Sequence, residues 1–218
     1  MNGLDARRKL LGMVAAAPLA GGLLALAPFA KGSPGLASTT NKQGQLTPRE
    51  RVRRRYFPDV TLVTQDNQRV RFYSDLIRGK VVTINMFYAK CAGVCPRITA
   101  NLAKVQRLLG DRVGRDIFMY SITLKPEEDT PGVIKDFAAM YHTAPGWTFL
   151  TGRPSDIEHL RVSLGFTYPD PAVDKDTEQH IGNIRYGNEP YILWSACPGM
   201  AHAEWIVETL QWVMQPRT

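Results

Sequence analysis

Cys91 and Cys95 stand in Ala89-Lys90-Cys91-Ala92-Gly93-Val94-Cys95-Pro96, two thiols separated by three residues. The thiolate is the form of cysteine that attacks disulfides and binds soft metals. Two of them at this spacing can converge on one ion or close into a disulfide. The spacing is one residue longer than the C-x-x-C of dithiol redox motifs, which makes the pair less suited to fast thiol–disulfide shuttling. A metal needs more than two ligands. Cys197 is the only other cysteine, and Cys197-Pro198-Gly199 reads as a turn. Of the four histidines, His142 and His159 fall on predicted helices or at their ends, where exposure is expected, and His202 lies in the first turn of the last helix. His180 ends a polar loop, and such a histidine is more often hydrogen-bonded for structural reasons than a ligand. Two apolar core cysteines or a structural disulfide are the bland alternatives for the pair.

The elements that must position these thiols are legible. Val81 to Tyr88 (VVTINMFY) is continuously apolar and β-branched, as a strand buried on both faces should be. Pro96 to Leu109 places Ile98, Leu102, Val105, Leu108 and Leu109 at helical spacing, and Gly110 is a plausible stop. The cysteines thus lie where a buried strand hands over to a helix. A helix N-terminus presents unpaired N–H groups and a positive dipole end, which favour thiolate over thiol. Lys90 adds a positive charge.

Further along, Asp116 to Leu124 reads as a strand. Thr130 caps a helix with Pro131 at its first position. Trp147 to Leu150 is a short strand, and Ser155 to Leu164 a helix with a Ser155/Glu158 capping box. Residues 166–180 form a polar loop, Ile184 to Tyr186 and Tyr191 to Trp194 are weak strands, and Ala201 to Met214 closes as an amphipathic helix. Before the central strand, Val60 to Val63 and Arg69 to Tyr73 flank a turn. This alternation predicts an α/β sandwich with a central mixed sheet flanked by helices, compatible with a thioredoxin-like domain carrying N-terminal and mid-chain additions.

The chain has 218 residues and a formal net charge of +7. Residues 1–37 contribute +3, and Arg49, Arg51, Arg53, Arg54 and Arg55 form a second cluster broken only by Glu50. The rest is close to neutral, which excludes a nucleic-acid groove. Residues 1–37 read as an N-terminal export signal: Arg7-Arg8-Lys9 precedes an uncharged run from Leu10 to Ala30, a twin-arginine-like pattern. That run is also long enough to serve as an uncleaved membrane anchor. Both readings place the folded part in the periplasm or on the outer face of the cytoplasmic membrane. The expected organisation is 1–37 export signal or anchor, 38–55 linker and basic arm, and 56–216 globular domain. The arm reads as a solvated lead into the domain, with contact to anionic lipid as the alternative.

Taken in order, these segments resemble the Sco/SenC family of copper-binding assembly proteins. The strand leading into Cys91-x-x-x-Cys95-Pro96 is followed by Ser121-Ile122-Thr123-Leu124, and then by Pro126-Glu127-Glu128-Asp129-Thr130-Pro131, similar to the family's D-T-P segment. Trp147-Thr148-Phe149-Leu150-Thr151-Gly152 is similar to its L-T-G strand, and His180 follows in a late loop. The resemblance covers about residues 56–195. It implies a thioredoxin-like domain binding a copper ion, Cu(I) or Cu(II), through Cys91, Cys95 and His180. It also implies a metallochaperone that delivers copper to an apoprotein such as a cytochrome c oxidase subunit. Other copper carriers or thiol reductants would be further partners, with membrane association through the N-terminus.

The residue chemistry agrees. Two soft thiolates select Cu(I), an imidazole keeps Cu(II) acceptable, and three ligands leave a position open for transfer. Asp174, Asp176 and Glu178 could orient the imidazole. Cys₂His is also a zinc set. A thiol–disulfide oxidoreductase that reduces cysteines of a copper-site apoprotein is the alternative function, with Cys91 and Cys95 as its redox-active pair. A peroxiredoxin-type peroxidase and an interaction protein are weaker readings. The chain departs from the family in having Gln179 where an Asp usually precedes the histidine, and in carrying Cys197. That residue reads as an inert turn residue or as a partner in disulfide exchange or dimer formation.

Overall fold

The strand expected to be buried on both faces lies inside the sheet. The computed structural model describes residues 39–40, 44–176 and 182–215. Within it, β3 (Val81–Phe87) pairs in parallel with β4 (Phe118–Thr123), which pairs in parallel with β5 (Trp147–Gly152). On the other side of β3 run β6 (Asn183–Asn188) and then β7 (Leu193–Pro198), both antiparallel to their neighbours. A hairpin of β1 (Thr61–Thr64) and β2 (Arg69–Arg71) extends the β5 edge. The seven strands stand in the order β2-β1-β5-β4-β3-β6-β7. This is the α/β mixed sheet that the alternation of elements predicts, and the thioredoxin-like fold that the resemblance implies.

The period of two along β3 explains the two cores. Val82, Ile84 and Met86 face one helical layer, with α1 (Pro48–Tyr56), a π-type turn (Phe72–Ile77) and α4 (Pro154–Ser163). Phe87 faces the other layer, with α2 (Cys95–Leu109), α3 (Pro131–Met140) and α6 (Ala203–Met214). On this second face Asn85 is buried but satisfied. Ser121 Oγ donates to Asn85 Oδ1 at 2.7 Å and accepts from Trp147 Nε1 at 2.9 Å, tying β3, β4 and β5 together beneath α2 and α3. Buried polar groups are tolerable only when paired in this way.

Several local expectations change. The basic run is a helix rather than a solvated arm. Glu50 is buried in α1 and accepts from Arg53 and Arg54, while Arg49 reaches the carboxylate of Glu189 across the fold. α4 starts at Pro154, one residue before the expected Ser155, because proline suits a first helical position. The capping box does not form: Glu158 turns instead to Arg161. Cys197 is not in a turn. It is a buried residue of β7, paired with Ile184 of β6. The polar loop contains a short helix, α5 (Pro171–Asp174), capped by Asp170. In α6, Leu210 is buried but Trp205 and Trp212 face outward. The export segment lies outside the described residues, as does His180.

Candidate metal centre

β3 ends at Phe87, and the chain must turn before α2 begins at Cys95. Ala92, Gly93 and Val94 form an exposed loop, while Cys91 and Cys95 tuck beneath it, 6% and 1% exposed. Neither sulfur is in a disulfide. The loop is closed by its own backbone. Cys91 N–H donates to Tyr88 O at 3.3 Å and Ile98 N–H to Val94 O at 3.0 Å. Pro96 sits in the first turn of α2, where a missing N–H costs nothing. Thr99 Oγ1 donates to Cys95 O at 2.8 Å, and Gly93 N–H points at Cys91 Sγ at 3.3 Å.

The two thiols ionise differently. Burial pushes Cys91 up, but hydrogen bonds from the Cys95 thiol, the Cys95 and Gly93 N–H groups and the Tyr88 hydroxyl outweigh it. The Cys91 thiol therefore lies below its usual range. Cys95 lies far above that range, because it is buried and because its proton is held on the Cys91 sulfur. The expectation that the helix end lowers both thiols holds only for the outer one. Cys197 is pushed up to about 11 by burial alone.

Two struts fix the pair. Asp129 is buried in the turn after β4. Its carboxylate accepts Ala89 N–H at 3.1 and 3.3 Å and the Thr123 hydroxyl at 2.5 Å. This holds the end of β3, two residues before Cys91, against the end of β4. Thr130 then caps α3 by accepting from Val133 N–H. The D-T-P segment is thus a strut followed by a helix start. Beside it, the Lys125 ammonium lies 4.5 Å above the centre of the Tyr88 ring. Lys90 pairs with Glu128 at 3.2 Å in solvent.

The second strut joins α2 to the end of the sheet. Asn101 Nδ2 donates to Gly199 O at 2.9 Å and Ala201 O at 2.7 Å. Gly199 N–H donates to Gly182 O at 2.7 Å. Both glycines press on Ile98 so closely that an added Cβ would meet its side chain at 2.8 Å. Glycine is needed here for close approach.

Of the residues singled out by sequence, the structure brings Cys91 and Cys95 together at the β3–α2 junction. Among the described residues, no group of three or more His, Cys, Asp or Glu side chains is arranged to hold a metal. His142, His159 and His202 are exposed. Asp174 is committed elsewhere: Arg161 grips it with two nitrogens at 2.7 and 2.9 Å, and Tyr168 N–H donates to it at 2.7 Å. Glu178, Gln179 and His180 lie outside the described residues. Tyr88, Asn101 and the role of Asp129 were not anticipated. The signal for Asp129 was its place in a turn beside the strand after the cysteines; Asn101 carried none.

Residues 49–193 match the family model for SCO1/SenC. A SCO1 protein homolog of Bacillus subtilis is 33% identical over 104 residues, covering 47% of this chain and 52% of the relative. The chain spans about half the length of the first curated relatives that it matches. Among solved structures, ScoI of Bradyrhizobium japonicum with copper bound superposes with a TM-score of 0.57 at 23% identity, covering 70% of this chain and 96% of that one. BsSco, described as a member of the Sco family of cytochrome c oxidase assembly proteins with a disulfide switch, gives 0.58 at 24%, covering 72% and 92%. The structural likenesses carry the fold; the family model, spanning well over half the chain, carries the membership. The chain belongs to the SCO1/SenC family.

Proposed function

We propose that this chain is an exported copper chaperone that binds copper through Cys91, Cys95 and His180 and delivers it to a respiratory copper enzyme such as cytochrome c oxidase. The observation that carries this reading is the pair of thiols brought together at the β3–α2 junction and not joined in a disulfide. Soft sulfur donors suit Cu(I). The pair offers two donors, so a third must arrive from a neighbouring segment. Gly182 packs against Val94 and Ile98, and His180 is two residues away in the chain. The resemblance to the Sco/SenC family supplies His180 as that third donor. Copper bound in the B. japonicum relative and the assembly role described for BsSco support the cargo and the destination. The twin-arginine-like start supports a periplasmic location or one on the outer face of the membrane.

Copper titration of the wild type beside Cys91→Ser, Cys95→Ser and His180→Ala tests the reading. Stoichiometric copper and thiolate-to-Cu(II) absorption are expected in the wild type and lost or weakened in each variant. Binding indifferent to all three substitutions overturns it.

One observation favours a second reading. A lowered outer thiol beside a raised inner one is the arrangement of an attacking and a resolving cysteine. A thiol–disulfide reductase acting on the cysteines of a copper-site apoprotein would need both thiols and would survive His180→Ala. Reduction of a model disulfide by His180→Ala at the wild-type rate, with copper binding abolished, would favour that activity.

A further inference from the structure

The molecule has a second surface whose chemistry the copper site does not use. α1 turns Arg51, Arg54 and Arg55 to solvent. Arg49, on the same helix, clamps the 189–190 turn through the Glu189 carboxylate and donates to Pro190 O at 3.1 Å. That clamp sets Tyr191 and Ile192 beside the basic helix. Between α1, the end of α4 and β7 opens an apolar groove of about 490 Å³, with Tyr56, Val162 and Ile192 among its lining. Tyr56, Val162, Tyr191 and Ile192 are 42–52% exposed, four of the ten large apolar side chains exposed among the described residues. Ile192 also holds a left-handed backbone at φ 53°, a conformation that β-branched residues rarely adopt. Its side chain is thus both strained and uncovered.

The charge around the groove has one sign. Glu50 and Glu189 face this region but are buried and clamped, Glu50 by Arg53 and Arg54, and Glu189 by Arg49, the Tyr73 hydroxyl and Gly79 N–H. Glu158, one turn before Val162, is held by Arg161. The solvent-facing charges on α1 are therefore arginines. Arginines flanking exposed tyrosines and aliphatics are the composition of a surface that sits at a lipid headgroup layer. Among the described residues no helix is long and apolar enough to cross a membrane, so such contact is peripheral. The sequence adds direction, because seventeen residues separate the uncharged run ending at Ala30 from Pro48 at the start of α1.

We propose that the face formed by α1, the 191–192 turn and the groove beneath them docks on an anionic lipid bilayer. Arg51, Arg54 and Arg55 would meet headgroup phosphates, and Tyr56, Val162, Tyr191 and Ile192 would enter the interface. This inference does not rest on copper ligation. The test uses the full chain on phosphatidylcholine vesicles with and without phosphatidylglycerol, followed by hydrogen exchange and mass spectrometry. Segments 48–57 and 189–196 are expected to exchange more slowly on the anionic vesicles than on the neutral ones. The difference should shrink in about 0.5 M salt, where screening shortens to a few ångström. Each arginine near an anionic surface is worth roughly fivefold in partitioning, so Arg51→Glu with Arg55→Glu should lower the anionic preference at least about thirtyfold. Ile192→Gly relieves the left-handed strain and should fold normally while still weakening the protection. Equal protection on neutral vesicles, or none on either, overturns the proposal. So does protection of the same segments by self-association without lipid, which would make the occupant a second copy of the chain.

Discussion

Asp129 offers the sharpest test of how the cysteine loop is held. Replacing it with alanine strands two donors, the part-buried Ala89 N–H and the buried Thr123 hydroxyl. Each stranded buried polar group costs about 1–3 kcal/mol, so the gross loss is roughly 2–6 kcal/mol. Part is offset, because the wild type already bears the cost of a buried carboxylate. Burial raises the Asp129 pKa despite the hydrogen bonds from Thr123 and Ala89 that lower it, with Glu128 adding to the rise and Lys90 opposing it. A net destabilisation of about 2–3 kcal/mol is therefore expected for Asp129→Ala. Asp129→Asn keeps an acceptor for Ala89 N–H without the charge, and should lose about 1 kcal/mol or less.

The raised pKa also fixes the direction with pH. A carboxyl group whose folded pKa exceeds its unfolded value stabilises the fold fully below the unfolded value, and that contribution fades as pH rises through the folded pKa. Asp129→Asn should remove this component of the slope. Urea unfolding of the two variants and the wild type across pH 3–7 measures both quantities (the range brackets the ordinary carboxylate value of about 4). An alanine variant within about 0.5 kcal/mol of wild type, or a pH slope unchanged in the asparagine variant, would refute the strut.

Alkylation at neutral pH should label Cys91 first and leave Cys95 and Cys197 untouched until the protein unfolds, since only Cys91 lies below the usual thiol range; peptide mass spectrometry reads the order. Gly199→Ala should destabilise by about 1–3 kcal/mol, because its Cβ would meet Gly182 O, a backbone atom, at 2.8 Å. Gly182→Ala should cost less, since its close contact is the far end of the Ile98 side chain, and thermal melts would rank the two. Asp174 is held down at about 2 by Arg161 and Tyr168 N–H. Its contribution is present above the ordinary carboxylate value and lost as pH falls towards 2, so acid unfolding should begin at higher pH in Asp174→Asn, as circular dichroism would record.

What could be read from the sequence is what depends on near neighbours. A continuously apolar strand can only be central, Gly110 can stop α2 because it takes φ 55°, and Thr130-Pro131 starts a helix from its own side chains. α1 was not legible, because a run of arginines is a poor helix without partners. Its partner Glu189 lies 140 residues away, and Glu50 becomes an anchor only when two arginines close over it. Cys197-Pro198-Gly199 has turn composition, yet pairing with β6 keeps Cys197 extended and buried. At the site, the position of the thiols followed from the strand-to-helix junction. Their unequal acidity did not, because it depends on which sulfur is more deeply buried and which receives the N–H groups of Cys95 and Gly93.

These same anchors bear on the copper-carrier reading proposed above. The thiols are set rigidly, by Asp129 below the loop and by Asn101 beside α2. The described residues that flank positions 177–181 are anchored too: Arg161 grips Asp174, and Gly182 is wedged against Ile98 and bonded to Gly199. If copper takes His180 as its third ligand, as proposed, the two sulfurs would keep their places while that ligand is gained or lost. A soft ion held in this way would pass to an acceptor one ligand at a time, without remodelling of the domain, and the rigid setting of the dithiol is what that reading requires.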